Sequence, residues 1–548
     1  MKKPISLILA FIITLSMITF SHLTVSAGIK DSAPIGDGET DGVTGVCTWK
    51  IEDGVLTISG NGRMGSYDSS GENIAPWRNI SVSKVVIENG VTTIGQNAFR
   101  DCYIRSVTIP NSVIGIASGA FRGCKWLSSI EIPDSVTIIG SMAFYDCSLK
   151  SITIPDSVTD IEFHAFEGCK NLKSVIIGNS VTDIKFAAFE GCTSLESVTI
   201  GNSVSYINDN AFDGCPLKSV NIHDVSAWCK IQFGSDGSGN PLCRAHNLYL
   251  EGELITDLVI PESVTSISKY AFNKCTCLKS VTIPASVNAI SKNSFYGCKN
   301  LKSVYISDLT TWLNLVDYSY GELVHCQINM DHEYNLFLND ELVTELTIPN
   351  AIETIYLCTF YNVASLRSVK ISDSVTSIGT SAFYKCVNLS SVDIPDSVTS
   401  IGVGAFEECE NLKTVVIPAS VTSIGDNAFG YYRDPDFGTE MKVSGFTICG
   451  YKDTAAEKYA NDNGFAFVEI KDEIEIALGD VDGNGKVDIS DATTLQKYLA
   501  EYELPNRELI KLCGDVDGNN KIDISDATTI QKYIAEYELP YPIGEPIE

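Results

Sequence analysis

Between Val85 and Phe429 the apolar residues keep a beat too long for one helix or strand. Phe99, Phe121, Phe144, Phe166, Phe189 and Phe212 stand 22 or 23 residues apart, the beat resumes at Phe272 and Phe295, and it returns at Phe360, Phe383, Phe406 and Phe429. A period near 23 with apolar residues at set offsets marks a stacked array, in which each unit buries its face only against its neighbours. Within one unit, "LKSVTIPASVNAISKNSFYGCKN", Leu278, Val281 and Ile283 alternate with polar residues and predict one short strand, closed by Pro284. Val287 and Ile290 follow, and then a turn whose Phe295 and Cys298 point back inside. Stacking such units makes a parallel β-sheet on one side of a solenoid. Its outward positions, Thr153, Thr199, Thr282 and Val416 among them, are mostly small or apolar.

An array needs ends that hide its core. At the front "CTWKIEDGVLTISG" predicts two strands around Asp53-Gly54. At the back "YKDTAAEKYANDNGFAFVEI" predicts a helix begun at Asp453 or Thr454, stopped at Gly464 and followed by a strand. The beat is broken between Phe212 and Phe272 and between Phe295 and Phe360, where Trp228 with "LEGELITDLVI" and Trp312 with "LNDELVTELTI" share a skeleton that predicts an added hairpin. Insertions of this kind gather on one face. Trp228, Tyr249, Trp312, Tyr318, Tyr320 and Phe337 are therefore candidates for a ligand-binding surface, the alternative being that they seat the hairpins.

Composition narrows the partners. Lys and Arg number 39 against 69 acids, a balance that repels nucleic acid and anionic lipid. Met1-Lys2-Lys3, an apolar run from Ile5 to Phe20 and small residues at Ser26 and Ala27 predict a secretory signal cut after Ala27, and no later run is long enough to span a membrane. Ten cysteines, Cys102, Cys124, Cys147, Cys169, Cys192, Cys215, Cys275, Cys298, Cys386 and Cys409, each sit three residues after a landmark Phe. Parallel side chains one rung apart hold their Cβ atoms too far apart for a disulfide, so the column reads as small core residues. Cys229 and Cys243, off the column, are the better disulfide candidate.

The repeat unit resembles the bacterial leucine-rich repeat of the BspA-like family, over about two thirds of the chain. That resemblance implies a secreted or surface-exposed protein engaged in binding or adhesion. Chemistry is hard to find in the array: there is no H-E-x-x-H, no G-x-S-x-G and no phosphate loop, and "MDHEY" around His332 is the nearest thing to a ligand cluster. A glycosidase needs two placed carboxylates, and no pair is singled out.

The C-terminus says one thing twice. "GDVDGNGKVDISDATTLQKYLAEYELP" from Gly479 returns at Gly514 as "GDVDGNNKIDISDATTIQKYIAEYELP". Loop positions 1, 3, 5, 9 and 12 carry Asp480, Asp482, Asn484, Asp488 and Asp491, then Asp515, Asp517, Asn519, Asp523 and Asp526, with backbone carbonyls from Lys486 and Lys521 at position 7. Hard oxygen ligands at alternate positions with a carboxylate at 12 form a calcium loop of the EF-hand kind, predicting two Ca2+ sites. Position 12 is Asp rather than Glu, and position 6 of the second copy is Asn520 rather than glycine. One helix follows each loop, with Leu495, Leu499 and Tyr502, or Ile530, Ile534 and Tyr537, on one face.

A loop and single helix, duplicated, resembles a type I dockerin, the module that plugs cellulosomal proteins into cohesins on a scaffold. The resemblance implies a small all-α calcium-binding fold of two loop-helix units with a cohesin as partner. It also implies cohesin contact by Ile489, Ser490, Gln496 and Lys497 and again by Ile524, Ser525, Gln531 and Lys532. The expected organisation is a signal peptide (1–27), an N-terminal cap (28–84), the solenoid (85–429, inserts near 224–257 and 308–345), a C-terminal cap (430–470), a linker (471–478) and the dockerin with a short tail (479–548). The combination implies a non-catalytic extracellular protein, held to a cell surface through a scaffold, whose solenoid binds a polysaccharide, a protein or a cell. A polysaccharide-degrading hydrolase on the same scaffold, or an adhesin or inhibitor, is the alternative.

Overall fold

In the computed structural model the alternation at Leu278, Val281 and Ile283 becomes the strand Ser280–Ile283, with Val281 and Ile283 buried and Thr282 turned outward. Its partner Ser303–Ile306 runs parallel and in register, Val281 opposite Val304 and Ile283 opposite Ile306. The same residues face inward on every rung because the strand period is two and each rung is offset by a whole repeat. The structure describes residues 41–548 apart from 69–72, 292, 316–331, 435–437, 471–476, 503, 505–506, 520, 536–542 and 544–548. The expected signal peptide and most of the linker lie outside the described residues.

Two compact units divide the chain, Met1–Val181 with Ala187–Ser194, and Thr182–Phe186 with Leu195–Glu548. In the first, a hairpin of Cys47–Glu52 and Val55–Gly60 turns at Asp53 and Gly54, both left-handed at φ 50° and 73°, as the front cap requires. A further strand, Asp41–Thr44, pairs outside it. Behind the hairpin, Lys84–Ile87 and Ser106–Thr108 continue the sheet in parallel.

A second set of parallel sheets, for which the sequence shows no signal, lies in the repeats of both units. Its strands are mostly two residues long, such as Gly115–Ile116 beside Ile138–Ile139 in the first unit and Ser266–Ile267 beside Ala289–Ile290 in the second. So short an element offers no alternation to read.

The landmark phenylalanines stack face to face along the array. In the first unit successive ring centroids from Phe99 through Phe189 lie 5.2, 5.3, 5.2 and 5.2 Å apart, and in the second those from Phe360 through Phe429 lie 5.2, 5.0 and 4.8 Å apart. Most column cysteines add a hydrogen bond at this stack. Cys124, Cys147, Cys169 and Cys192 donate S–H to the carbonyls of Phe99, Phe121, Phe144 and Phe166, over 3.0, 3.0, 3.1 and 3.2 Å. Cys298, Cys386 and Cys409 repeat the contact on Phe272, Phe360 and Phe383. Each of these carbonyls also accepts the backbone N–H three residues on, so the thiol is a second donor, small enough to fit between the rungs.

Aromatics seal the stack at its ends. The Trp77 indole N–H donates to the Ala98 carbonyl over 2.8 Å beside Phe99. In the second unit the helix Ala455–Asn463 ends at Gly464 (φ 63°), as read from the sequence, and presents Tyr459, whose hydroxyl accepts from the Phe429 N–H and donates to the Phe429 carbonyl, each over 3.0 Å.

The insert hairpins form where expected, Glu253–Leu254 folding back on Leu248–Leu250 and Glu341–Leu342 on Asn335–Leu338. Their first strands also stand in the parallel ladder, Leu248 opposite Val220 and Leu336 opposite Val304, so each hairpin is itself a rung. The expected pairing of Cys229 with Cys243 does not occur: both are free. Cys229 is wholly buried behind its four-residue helix, while Cys243 is half-buried with its Sγ 3.3 Å from the Asn273 side-chain oxygen.

Candidate functional site

Each C-terminal loop is folded around its own carboxylates. Asp480 accepts from the backbone N–H groups of Gly483, Asn484 and Gly485 over 3.0, 3.1 and 2.9 Å, drawing the chain around its side chain. Gly483 and Gly485 take φ of 75° and 81°, which lets the loop turn that tightly. Asp491 accepts from the N–H of Asp482 through Oδ1 and of Asp488 through Oδ2, over 3.0 and 2.8 Å. Asp488 caps the helix Ile489–Leu499 by accepting from Ser490, so positions 9 and 12 of the loop are also a capping box.

The second copy repeats this. Asp515 accepts from Asn519, Asp526 from Val516, Asp517 and Asp523, and Asp523 caps the helix Ile524–Ile534. Asn520 lies outside the described residues.

Carboxylate oxygens of Asp480, Asp482 and Asp491 lie within 4.8 Å of one another, and so do those of Asp515, Asp517 and Asp526. Asp491 and Asp526 are fully buried and Asp480 is 1% exposed. Burial pushes Asp491 up to about 6, with Asp482 and Asp480 adding to the rise. Asp480 and Asp526 are raised for the same first reason. Three acids brought together and desolvated repel one another unless a cation joins them, and oxygen donors of this kind suit a hard divalent ion. Asp488 and Asp523 each turn one carboxylate oxygen to the helix cap, and the Ser490 and Ser525 hydroxyls contact position 3 and position 9 of their own loop.

The two copies meet in one small core. Val481, Ala492 and Leu495 pack with Val516, Ala527 and Ile530, their counterparts, together with Ile510, Cys513 and Ile543. Ile510 and Cys513 belong to a third helix, Arg507–Cys513, which the sequence reading passed over because seven residues hold too few turns for a period to show. The buried helical stripe is narrower than expected. The first helix ends at Leu499, leaving Tyr502 beyond it and 62% exposed, and Ile534 is 39% exposed.

The residues expected to meet a cohesin occupy matching places. Ile489 is 60% and Ile524 62% exposed, an unusual position for isoleucine, and Gln496, Lys497, Gln531 and Lys532 are exposed in both copies. Ser490 and Ser525 are half-buried, their hydroxyls engaged by the loops.

On the repeats the outcome differs. Trp228 and Trp312, expected at a ligand surface, are 1% and 2% exposed and cannot reach a ligand. Trp228 donates its indole N–H to the Ala271 carbonyl over 2.9 Å, the same docking that Trp77 makes at Ala98: an indole fills the place of a ladder ring where the beat is broken. Tyr249 and Phe337 are half-buried on the inserted strands, Phe337 stacked on the outward Tyr305 at 4.5 Å. Tyr318 and Tyr320 lie outside the described residues. Beside the first insert a depression of about 470 Å³ is lined by Cys243, Arg244, Tyr270, Asn273, Lys274 and Tyr296. No spacing in the sequence unites these six.

The BspA type leucine rich repeat region matches in six copies across residues 76–135, 115–233, 246–329 and 331–434. The chain belongs to that family. The match ends before the two C-terminal loops. No curated protein matches the chain. Among solved structures it is similar to a leucine-rich repeat protein from Bacteroides ovatus, at 24% identity over 69% of this chain and 94% of that one, with a TM-score of 0.41. It is also similar to a leucine rich cell surface protein from Faecalibacterium prausnitzii, at 22% identity over 80% of this chain and 95% of that one, with a TM-score of 0.27. Among the described residues no helix of this BspA-type protein is long and apolar enough to cross a membrane.

Proposed function

We propose that this leucine-rich-repeat protein is a secreted, non-catalytic binding component carried on a scaffold through its C-terminal dockerin-like module. The solenoid presents its strand face to a protein, polysaccharide or cell-surface partner. In the module, Asp480, Asp482, Asn484, the Lys486 carbonyl, Asp488 and Asp491 hold one Ca2+, and Asp515, Asp517, Asn519, the Lys521 carbonyl, Asp523 and Asp526 hold the second. The ion supplies the positive charge that lets buried acids stay together, so binding and folding are linked.

One observation carries the docking reading: the two copies bury the same positions against each other and expose the same ones, Ile489 with Lys497 and Ile524 with Lys532. Two equivalent faces can seat one cohesin in opposite orientations. The test is calcium-dependent binding of the full chain to a panel of cohesin modules. Ile489→Asp with Lys497→Glu should reduce affinity about twofold, roughly 0.4 kcal/mol, the loss of one of two equal modes. Changing Ile524 and Lys532 as well should abolish binding. A one-face variant that loses as much as the two-face variant refutes the two modes, and a panel with no binder at all refutes the docking role.

A further inference from the structure

One member of the cysteine column meets another thiol. Cys275 occupies a column position and is fully buried, yet its Sγ lies 3.5 Å from the Sγ of Cys277. Cys277 in turn stands where other rungs carry asparagine, two residues past the column cysteine. Asn300, Asn388 and Asn411 there donate their amides to carbonyls of the preceding rung over 2.7, 2.8 and 2.8 Å. Cys277 makes no such contact. Instead its sulfur lies 3.5 Å from the backbone nitrogen of Leu248, whose N–H is aimed at it. Unlike its neighbour, Cys277 is only half-buried.

Either thiol can donate in the Cys275–Cys277 contact; with Cys275 as the donor, the Cys277 sulfur receives an S–H from one side and the Leu248 N–H from another, and both contacts stabilise its thiolate more than its thiol. We propose that Cys277 is a reactive thiol and, with Cys275 as its resolving partner, a site of thiol–disulfide exchange with small disulfides. The Cys277 thiolate attacks one sulfur of the small disulfide, forming a mixed disulfide and expelling the first thiolate, which takes up a proton. Cys275 then loses its proton and attacks the Cys277 sulfur, closing the Cys275–Cys277 bond and expelling the second thiolate. Two protein thiols are oxidised, and the two electrons leave on two molecules of small thiol.

The charge balance fits the geometry. The contact from Cys275 holds Cys277 down to about 7, whereas burial raises the half-buried Cys243 and Cys449. At neutral pH the gain in thiolate outweighs the lower nucleophilicity of a more acidic thiol, a net advantage of about fivefold.

The full chain, reduced and desalted, is treated with limiting iodoacetamide at pH 7, digested and read by mass spectrometry. Cys277 should be alkylated about fivefold faster than Cys243, Cys358 and Cys449, the other half-buried thiols. A second sample receives oxidised glutathione. Wild type should end with Cys275 and Cys277 joined and no glutathione retained, and Cys275→Ser should stop with glutathione on Cys277. Alkylation of Cys277 no faster than of the other three overturns the reactive thiol. Glutathione retained by wild type overturns the resolving role. Because the alkylation race needs no substitution, a Cys275→Ser chain that fails to fold still leaves the first claim decided.

Discussion

Along the ring stack the buried backbone groups are neutral and answered from within: the Phe144 carbonyl accepts from the Cys147 N–H and from the thiol of Cys169, one repeat further on. In the C-terminal loops the buried groups are acids, Asp480, Asp491 and Asp526, gathered by backbone N–H groups that satisfy their hydrogen bonds without neutralising their charge. The rungs carry what they need in their own sequence. On the proposed reading the loops take a positive charge from outside, over a core of nine buried residues that is small for independent stability. Regular stacking therefore yields a fold that is complete in itself, and a loop of acids yields one that is conditional.

The sharpest way to break this contrast is chelation. With calcium removed from the full chain, limited proteolysis should cut within 479–543 while the rungs from Phe99 to Phe429 stay intact. Equal resistance with and without chelator would mean that the acids fold unaided and that the two regions do not differ.

Next in size is the ring ladder. Phe144→Ala or Phe383→Ala removes a fully buried ring stacked on both sides and should lower the local opening free energy, read by hydrogen exchange, by about 3–5 kcal/mol. Calcium should not change that loss. A calcium-dependent loss would tie the rungs to the loops.

Cys169→Ala tests whether the column donates or merely fills. It removes one of two donors to the Phe144 carbonyl, which keeps the Cys147 N–H, and should cost about 1–2 kcal/mol for the hydrogen bond and the buried sulfur together; Cys169→Ser, which keeps a donor, should lose less. The reverse order would make the column a matter of packing alone. Smallest is Ser490→Ala, which removes the hydroxyl between Asp482 and Asp488 and should weaken the module by about 0.5–1.5 kcal/mol. Ser525→Ala should match it, and unequal losses would break the equivalence of the two copies.

Much of this was legible in the chain. The Phe beat located the rungs, the alternation at Val281 and Ile283 gave the inward face, and Asp453 or Thr454 with Gly464 bounded the cap helix to within one residue. Of the four acids the loop positions named in each copy, three come together, with Asp488 and Asp523 outside the groups. For Trp228 and Trp312 the ligand-surface alternative fails and the seating alternative fits their burial; the sequence leaves both open because a break in a repeat looks the same whether its aromatics face solvent or pack inside.

What the sequence determined by itself was everything repeated or local: the period, the inward columns, the hairpin at Asp53-Gly54 and the alternating oxygen donors. Each is carried by residues whose spacing along the chain is itself the signal. The tertiary structure alone decided the S–H bonds of the cysteine column, the second set of short-stranded sheets, the burial of the tryptophans and the meeting of Cys275 and Cys277 beside Leu248. Most of these contacts join residues a full rung apart, which touch only once the rungs have stacked. The Cys275–Cys277 approach adds a bend within one turn that two neighbouring cysteines in a sequence do not reveal.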